Sequence, residues 1–228
     1  MANIVKKLVV FGAGKIADVL SDYFQRDSDY KIVAYTCEAD YVGAGEHGGL
    51  PLIPFDQVDK QFSPKTHELH IAVGYHQLNR HRERLFDEAR KKGYRLASFV
   101  SSRSWPGKDA AVGENCFVAD GVSIEPGAQI GNNVSLWSNV VVGHHARIQD
   151  HCWLAAGTVI GGGAVVGHRC FLALNVTVGN EVTIGADSFL GARTLLTKSI
   201  ASKSVVIERD TELFRLDSEQ FLRISKLR

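Results

Sequence analysis

Two adjacent histidines, His144 and His145, follow a glycine in the run Val142-Gly143-His144-His145-Ala146-Arg147-Ile148. A neutral imidazole near its ordinary pKa can accept a proton from an attacking amine or hydroxyl at physiological pH, once a polar neighbour fixes its tautomer. The plainer alternative is a pair of histidines decorating an exposed turn. A second constellation lies near the start of the chain, where Gly12-Ala13-Gly14-Lys15-Ile16-Ala17 joins an apolar run to an amphipathic one. Amides at such a turn, backed by a helix N-terminus, suit a phosphate, and the acids Glu38 and Asp40 come where a ribose could be held. A nucleotide-sugar phosphate, a bare tight turn with exposed acids, and a true NAD site all fit this pattern.

What positions the histidines is a repeat. An aliphatic residue recurs at every sixth position from Val112 through Val118, Ile124, Ile130, Leu136 and Val142 to Leu196, without interruption. A period of six matches neither a lone helix nor simple strand alternation; it predicts a β-solenoid with three short strands per coil. Four positions after the aliphatics come small or Val side chains, among them Cys116, Ala128, Ala146, Cys152, Ala164, Cys170 and Ser188. Each strand thus carries one large and one small inward residue. Glycine directly follows several aliphatics, as at Gly113, Gly143 and Gly161, and is expected to take positive φ at the corners. Residues eighteen apart then stack in neighbouring coils, which sets Gly162 and Asn180 in the column above His144. Exposed amides there could bind a thioester carbonyl and its tetrahedral oxyanion.

The first hundred residues alternate differently. Residues 7–11, 31–37, 69–74 and 94–100 read as strands, and residues 77–92 as a helix with Leu78, Leu85, Phe86 and Ala89 on its apolar face and Gly93 just past its end. Strand–helix alternation predicts a small Rossmann-like parallel α/β sheet. The expected division is an α/β nucleotide-sugar-binding domain over 1–103, five solenoid coils over 106–200, and a C-terminal cap over 201–228. In the cap, Phe221, Leu222, Ile224 and Leu227 stand near helical spacing.

Composition narrows the function classes. Lys and Arg number 26 against 25 Asp and Glu in 228 residues, which leaves no basic footprint for nucleic acid. No apolar stretch reaches the length of a membrane span, and the opening Met1 to Lys7 runs into a strand without a signal peptide, so a soluble cytoplasmic protein is expected. Cys116, Cys152 and Cys170 share the small inward position and are expected to be buried thiols; no CxxC spacing suggests zinc.

The α/β domain opening on Gly-Ala-Gly, then Leu50-Pro51-Leu52-Ile53, Val73-Gly74, a basic helix, and a solenoid carrying Gly-His-His resembles the hexapeptide-repeat sugar acyltransferases. These are the bacterial nucleotide-amino-sugar N-acetyltransferases and sialic-acid O-acetyltransferases, and the likeness spans residues 5 to about 200. The resemblance implies a left-handed parallel β-helix, a cytoplasmic homotrimer, and acetyl-CoA as acyl donor without a metal. It further implies transfer of an acetyl or other short acyl group to the amine of a nucleotide-linked amino sugar, in surface-polysaccharide (lipopolysaccharide) biosynthesis. His144 falls on the family's catalytic histidine, and His145 on the acidic residue that orients it. Trp153, which replaces a family histidine, Gly162 and Asn180 are implied to hold the coenzyme. Gly12, Gly14, Lys15, Glu38 and the Gly74-Tyr75-His76 loop are implied to hold the nucleotide sugar. Lys15 stands where the family has a histidine, and Val205-Val206-Ile207-Glu208-Arg209 replaces its Gly-x-Pro-Ala segment. Trp137, Arg147 and Trp153 are candidates for the threefold contact. His151 and His168 permit a metal between subunits, as in solenoid carbonic anhydrases, but the His-x4-His spacing of that family is absent. O-acetyl transfer to a sugar hydroxyl, and a nucleotide- or NAD-binding protein with a structural solenoid, are the alternatives.

Overall fold

A computed structural model describes residues 5–225; Leu227 and the opening Met1 lie outside the described residues. Strand β1 (Lys6–Phe11) is central, with four consecutive buried residues from Leu8 onward, because both faces of a parallel strand are covered. It pairs in parallel with β2 (Tyr30–Cys37), and β2 in turn with a strand at Leu50–Pro54. A two-residue strand, Glu46–His47, runs antiparallel at that edge, so the sheet is mixed rather than wholly parallel. In chain order these two are β3 (Glu46–His47) and β4 (Leu50–Pro54), and β5 (Glu68–Ile71) flanks β1 on the other side.

Helix α1 (Lys15–Arg26) buries Ala17, Leu20 and Phe24 on one face, at helical spacing. A single turn, α2 (Val58–Gln61), follows β4. Helix α3 (Arg80–Lys91) starts three residues later than the apolar spacing predicts, because Gln77, Leu78 and Asn79 all hold left-handed φ of 52°, 52° and 65°. It ends in a Schellman turn: Gly93, at φ 88°, donates to the Arg90 carbonyl and Tyr94 to that of Ala89.

The expected strand over 94–100 does not form as one piece. Leu96 bridges Leu69, and Phe99–Val100 instead pairs with Phe117–Val118 as the first rung of the solenoid. From there a left-handed parallel β-helix runs in three walls. Among the described residues one wall has seven strands (Phe99–Val100 to Val205–Val206), the next six (Trp105–Pro106 to Leu195–Leu196) and the third five (Ala111–Val112 to Thr183–Ile184). Strands of neighbouring coils pair residues eighteen apart, as in Ser123↔Val141 and Val141↔Val159, until the last step, Phe189↔Val205, which is sixteen. The solenoid therefore begins before residue 106 and extends beyond residue 200.

The corner chemistry differs from expectation. The glycines that follow the aliphatic column do not have positive φ; most of them, though not Gly179 or Gly191, lack room for a side chain. A Cβ on Gly143 would lie 2.6 Å from the Gly162 nitrogen, and one on Gly161 2.6 Å from that of Asn180. Left-handed φ falls two positions later, at Asn115, Gly121, Gly127, Asn133, Asn139, His145 and His151 among others. Asn and Gly tolerate that conformation best. The thiols of Cys116, Cys152 and Cys170 are fully buried as expected, and burial pushes Cys116 up to about 12.

The first wall faces the α/β domain. Its outward side chains Phe99, Phe117, Trp153 and Phe171 meet Tyr23, Phe24 and Tyr75 at ring distances of 4.4–5.4 Å. Helix α4 (Ser218–Ile224) carries a capping box between Asp217 and Gln220 but buries none of its side chains. Among the described residues it does not close the solenoid's end as the expected cap would, and Val205–Val206 extends the wall.

Candidate active site

His144 and His145 sit at the corner between the wall of Val141–Val142 and that of Arg147–Ile148, both exposed. Their Nδ1 atoms lie 3.2 Å apart, and the His144 amide donates to Glu125 Oε2 at 2.8 Å. His145, at φ 58°, leans its ring over Gly127, while the His144 ring lies over Gly162. A Cβ on Gly162 would come 2.5 Å from His144 Nε2, and one on Gly127 3.0 Å from His145 Cδ2. Two unprotonated Nδ1 atoms repel, so one ring must present Nδ1–H to the other. With His144 as that donor, its Nε2 is left as a base.

The column above corrects one expectation. The Gly162 amide is not open to a carbonyl; it donates to Asn180 Oδ1 at 2.8 Å. That bond fixes the amide orientation of Asn180, whose Nδ2 has no partner among the described residues and is the donor left at this edge.

All seven predicted acceptor-site residues come together. Cavities of about 570 and 740 Å³ share the Gly12-Ala13-Gly14 turn. The first adds Glu38, Tyr41, His76 and His81; the second adds Lys15, Ile16, Gly74 and Tyr75. Gly12 holds φ 128°, and a Cβ there would lie 2.7 Å from the Ala72 carbonyl, so only glycine fits. Gly14 caps α1 with open space around it and no side chain over the first-turn amides, a geometry that admits an anion. Glu38 is ion-paired with Arg84 and lies 3.9 Å from His81, while Asp40 points to solvent. A third, apolar groove of about 450 Å³ shares Ile16 and Tyr75 and continues over Trp137, Trp153 and Phe171.

His151 and His168 are neighbours, with ring centroids 4.9 Å apart, and Glu83 Oε1 lies 3.0 Å from His168 Nε2 and 3.8 Å from His151 Nε2. The hydrogen bonds argue against a metal there. Ile71 N–H donates to Asn115 Oδ1, Asn115 Nδ2 to Asn133 Oδ1, and Asn133 Nδ2 to His151 Nδ1. With Nδ1 an acceptor, neutral His151 carries its proton on the Nε2 that a metal would need. Arg169 also clamps both oxygens of Glu83 at 2.9 and 3.0 Å. The cluster is an interdomain clasp.

Comparison with known proteins places the chain. The bacterial transferase hexapeptide (six repeats) family matches residues 109–144. PerB from Caulobacter crescentus, solved with CoA and GDP-perosamine, is similar at 26% identity over 90% of this chain and 95% of its own, with a TM-score of 0.80. The same organism's perosamine N-acetyltransferase, solved with these ligands as a histidine-to-asparagine variant, matches at 25% identity over 90% and 94%, with a TM-score of 0.79. The chain thus carries hexapeptide repeats and is similar over nine-tenths of its length to solved sugar N-acetyltransferases. The acetyltransferase domain of PglB from Neisseria gonorrhoeae shares the fold at 20% identity over 89% and 97%, with a TM-score of 0.80. A search of curated proteins finds no match.

The expected site residues divide into two groups. The pocket at the Gly12–Lys15 turn adjoins the first wall through Tyr75, whereas His144 occupies the one corner that wall does not touch. Trp153 goes with the pocket side: it is 5% exposed and packs on Tyr75 and Trp137. Trp153 is therefore covered by the chain's own α/β domain, while Trp137 is half-buried in the apolar groove and Arg147 is exposed. Sequence reading missed Arg82, fully buried and bonded to the carbonyls of Asn133, His151 and Cys152; it looked like one more charge of a basic helix.

Proposed function

We propose that the chain transfers an acetyl group from acetyl-CoA to the amine of a nucleotide-linked amino sugar, in surface-polysaccharide biosynthesis. The observation that carries this reading is the likeness, over nine-tenths of the chain, to an enzyme solved with CoA and GDP-perosamine together. The nucleotide diphosphate sits on the Gly12–Lys15 turn, with Lys15 offsetting its charge and Glu38 on the ribose side. The sugar extends past Gly74, Tyr75 and His76 toward the apolar groove. CoA runs along the solenoid edge by Gly162 and Asn180, and the buried Trp153 supports the sugar side instead of the coenzyme.

His144 Nε2 takes a proton from the sugar amine as the nitrogen attacks the thioester carbonyl carbon. His145 Nδ1 accepts the His144 Nδ1–H and holds that tautomer. Asn180 Nδ2 donates to the oxyanion; the C–S bond then breaks, the thiolate takes a proton, and an amide and free CoA leave. Because His144 faces away from its own chain's pocket, the working unit is a homotrimer in which one copy's histidine meets its neighbour's sugar. The test is release of free CoA thiol on mixing acetyl-CoA with GDP-, UDP- or dTDP-linked amino sugars. Release that requires one of these acceptors is expected. No release with any of them, or equal release with the corresponding hydroxy sugars, overturns the reading.

A further inference from the structure

The loop that lines the nucleotide pocket is stapled to the solenoid at both ends. Tyr75 lays its ring on Phe171 and Trp153, at 4.4 and 5.3 Å. Four residues on, Asn79 is fully buried at the start of α3. An asparagine at a helix N-cap ordinarily turns its side-chain oxygen back onto the first-turn amides. Asn79 makes no such cap. Its Nδ2 instead donates across the domain boundary to the Cys170 carbonyl at 3.2 Å and that of Arg169 at 3.4 Å, and its Oδ1 accepts from Arg82 at 3.0 Å. Between the anchors, His76 and Gln77 face the pocket, and Gln77, Leu78 and Asn79 hold left-handed φ in succession. Consecutive left-handed residues that are not glycine are costly and persist only where the surroundings impose them.

We propose that Asn79 is a positioning residue of the acceptor site, through which the solenoid fixes the loop carrying His76 and Gln77 in its nucleotide-binding shape. The proposal rests on the nucleotide-sugar reading above. Asn79→Gly keeps the left-handed backbone accessible and removes only the side-chain anchors. If the binding shape then falls to roughly a tenth of the population, apparent nucleotide affinity falls about tenfold, with no change at a site the loop does not touch. Calorimetry of GDP, UDP and dTDP binding to the full chain is the readout, with CoA binding and the acetyl-transfer KM and kcat beside it. Weaker nucleotide binding and higher acceptor KM, with CoA affinity and kcat unchanged, are expected. Wild-type protein that binds none of the three nucleotides overturns the nucleotide reading and this one with it. Wild-type binding matched by Asn79→Gly overturns this proposal alone. Should the variant not fold, hydrogen exchange on the wild-type protein decides: the Asn79 and Arg80 amides are protected without nucleotide if the solenoid sets the loop, and exchange freely until nucleotide is added if it does not.

Discussion

The base proposed at residue 144 has an unusual partner. A histidine rather than a carboxylate stands 3.2 Å from its Nδ1, so the orienting group can fix a tautomer but brings no negative charge to an imidazolium. His144→Ala should lower kcat by about 10²–10⁴, the range for loss of general acid–base catalysis, while CoA binding by calorimetry stays unchanged. A variant with unaltered kcat would remove the assigned base. Lys15→Ala, at the exposed first residue of α1, should raise acceptor KM without lowering kcat if, as proposed, Lys15 complements charge on a phosphate remote from the reacting amine. An unchanged KM would take the phosphate off this turn.

At the scale of elements, the coil stack tolerates little. Val142 is fully buried on the inward column, so Val142→Asp strands a carboxylate in an apolar core. The cost, on the order of 4–5 kcal/mol or more, should leave no folded protein by circular dichroism. Gly143→Ala brings a Cβ to 2.6 Å from the Gly162 nitrogen. That should cost about 1–3 kcal/mol by denaturant titration, as overpacking does, and should displace the His144 corner as well. Equal stability of Gly143→Ala and wild type would mean that the coils can part locally. The polar column Asn115, Asn133, His151, Arg169 and Asp187 recurs every eighteen residues at left-handed corners; β5 meets Asn115 and α3 meets the other four.

The whole molecule is held across its domain boundary by groups that must stay neutral or paired. Burial lowers His151 from its ordinary 6.5 to about 4, and does the same to His70, whose Nδ1 meets the Ala97 carbonyl at 2.8 Å. The unfolded chain therefore holds more protons between those values, so this contribution to stability is complete above about 6.5 and is lost as pH falls toward 4. The melting temperature should be flat above pH 6.5 and drop below it, with a shallower drop in His151→Asn. A flat profile down to pH 4.5 would show that neither imidazole is buried in solution. Assembly belongs to this scale too: light scattering should report three chains, and a monomer at micromolar concentration would leave His144 with no neighbouring pocket to serve.

Periodicity carries far in this chain because a solenoid's contacts repeat at a fixed offset. An uninterrupted aliphatic column dictates the inward face, the stacking partner of each residue, and so the place of Gly162 and Asn180 over His144. The Gly12–Lys15 turn was legible for a similar local reason, since glycine at φ 128° leaves its mark at a single position. Contacts between the domains have no such offset. That Phe99 belongs to the solenoid, that α3 waits until Arg80, that Arg82 is buried, that Trp153 faces the α/β domain and that Asn180 already holds the Gly162 amide all depend on which surfaces meet across dozens of residues. Burial and hydrogen-bond pairing are properties of that meeting, and only the tertiary structure decides them.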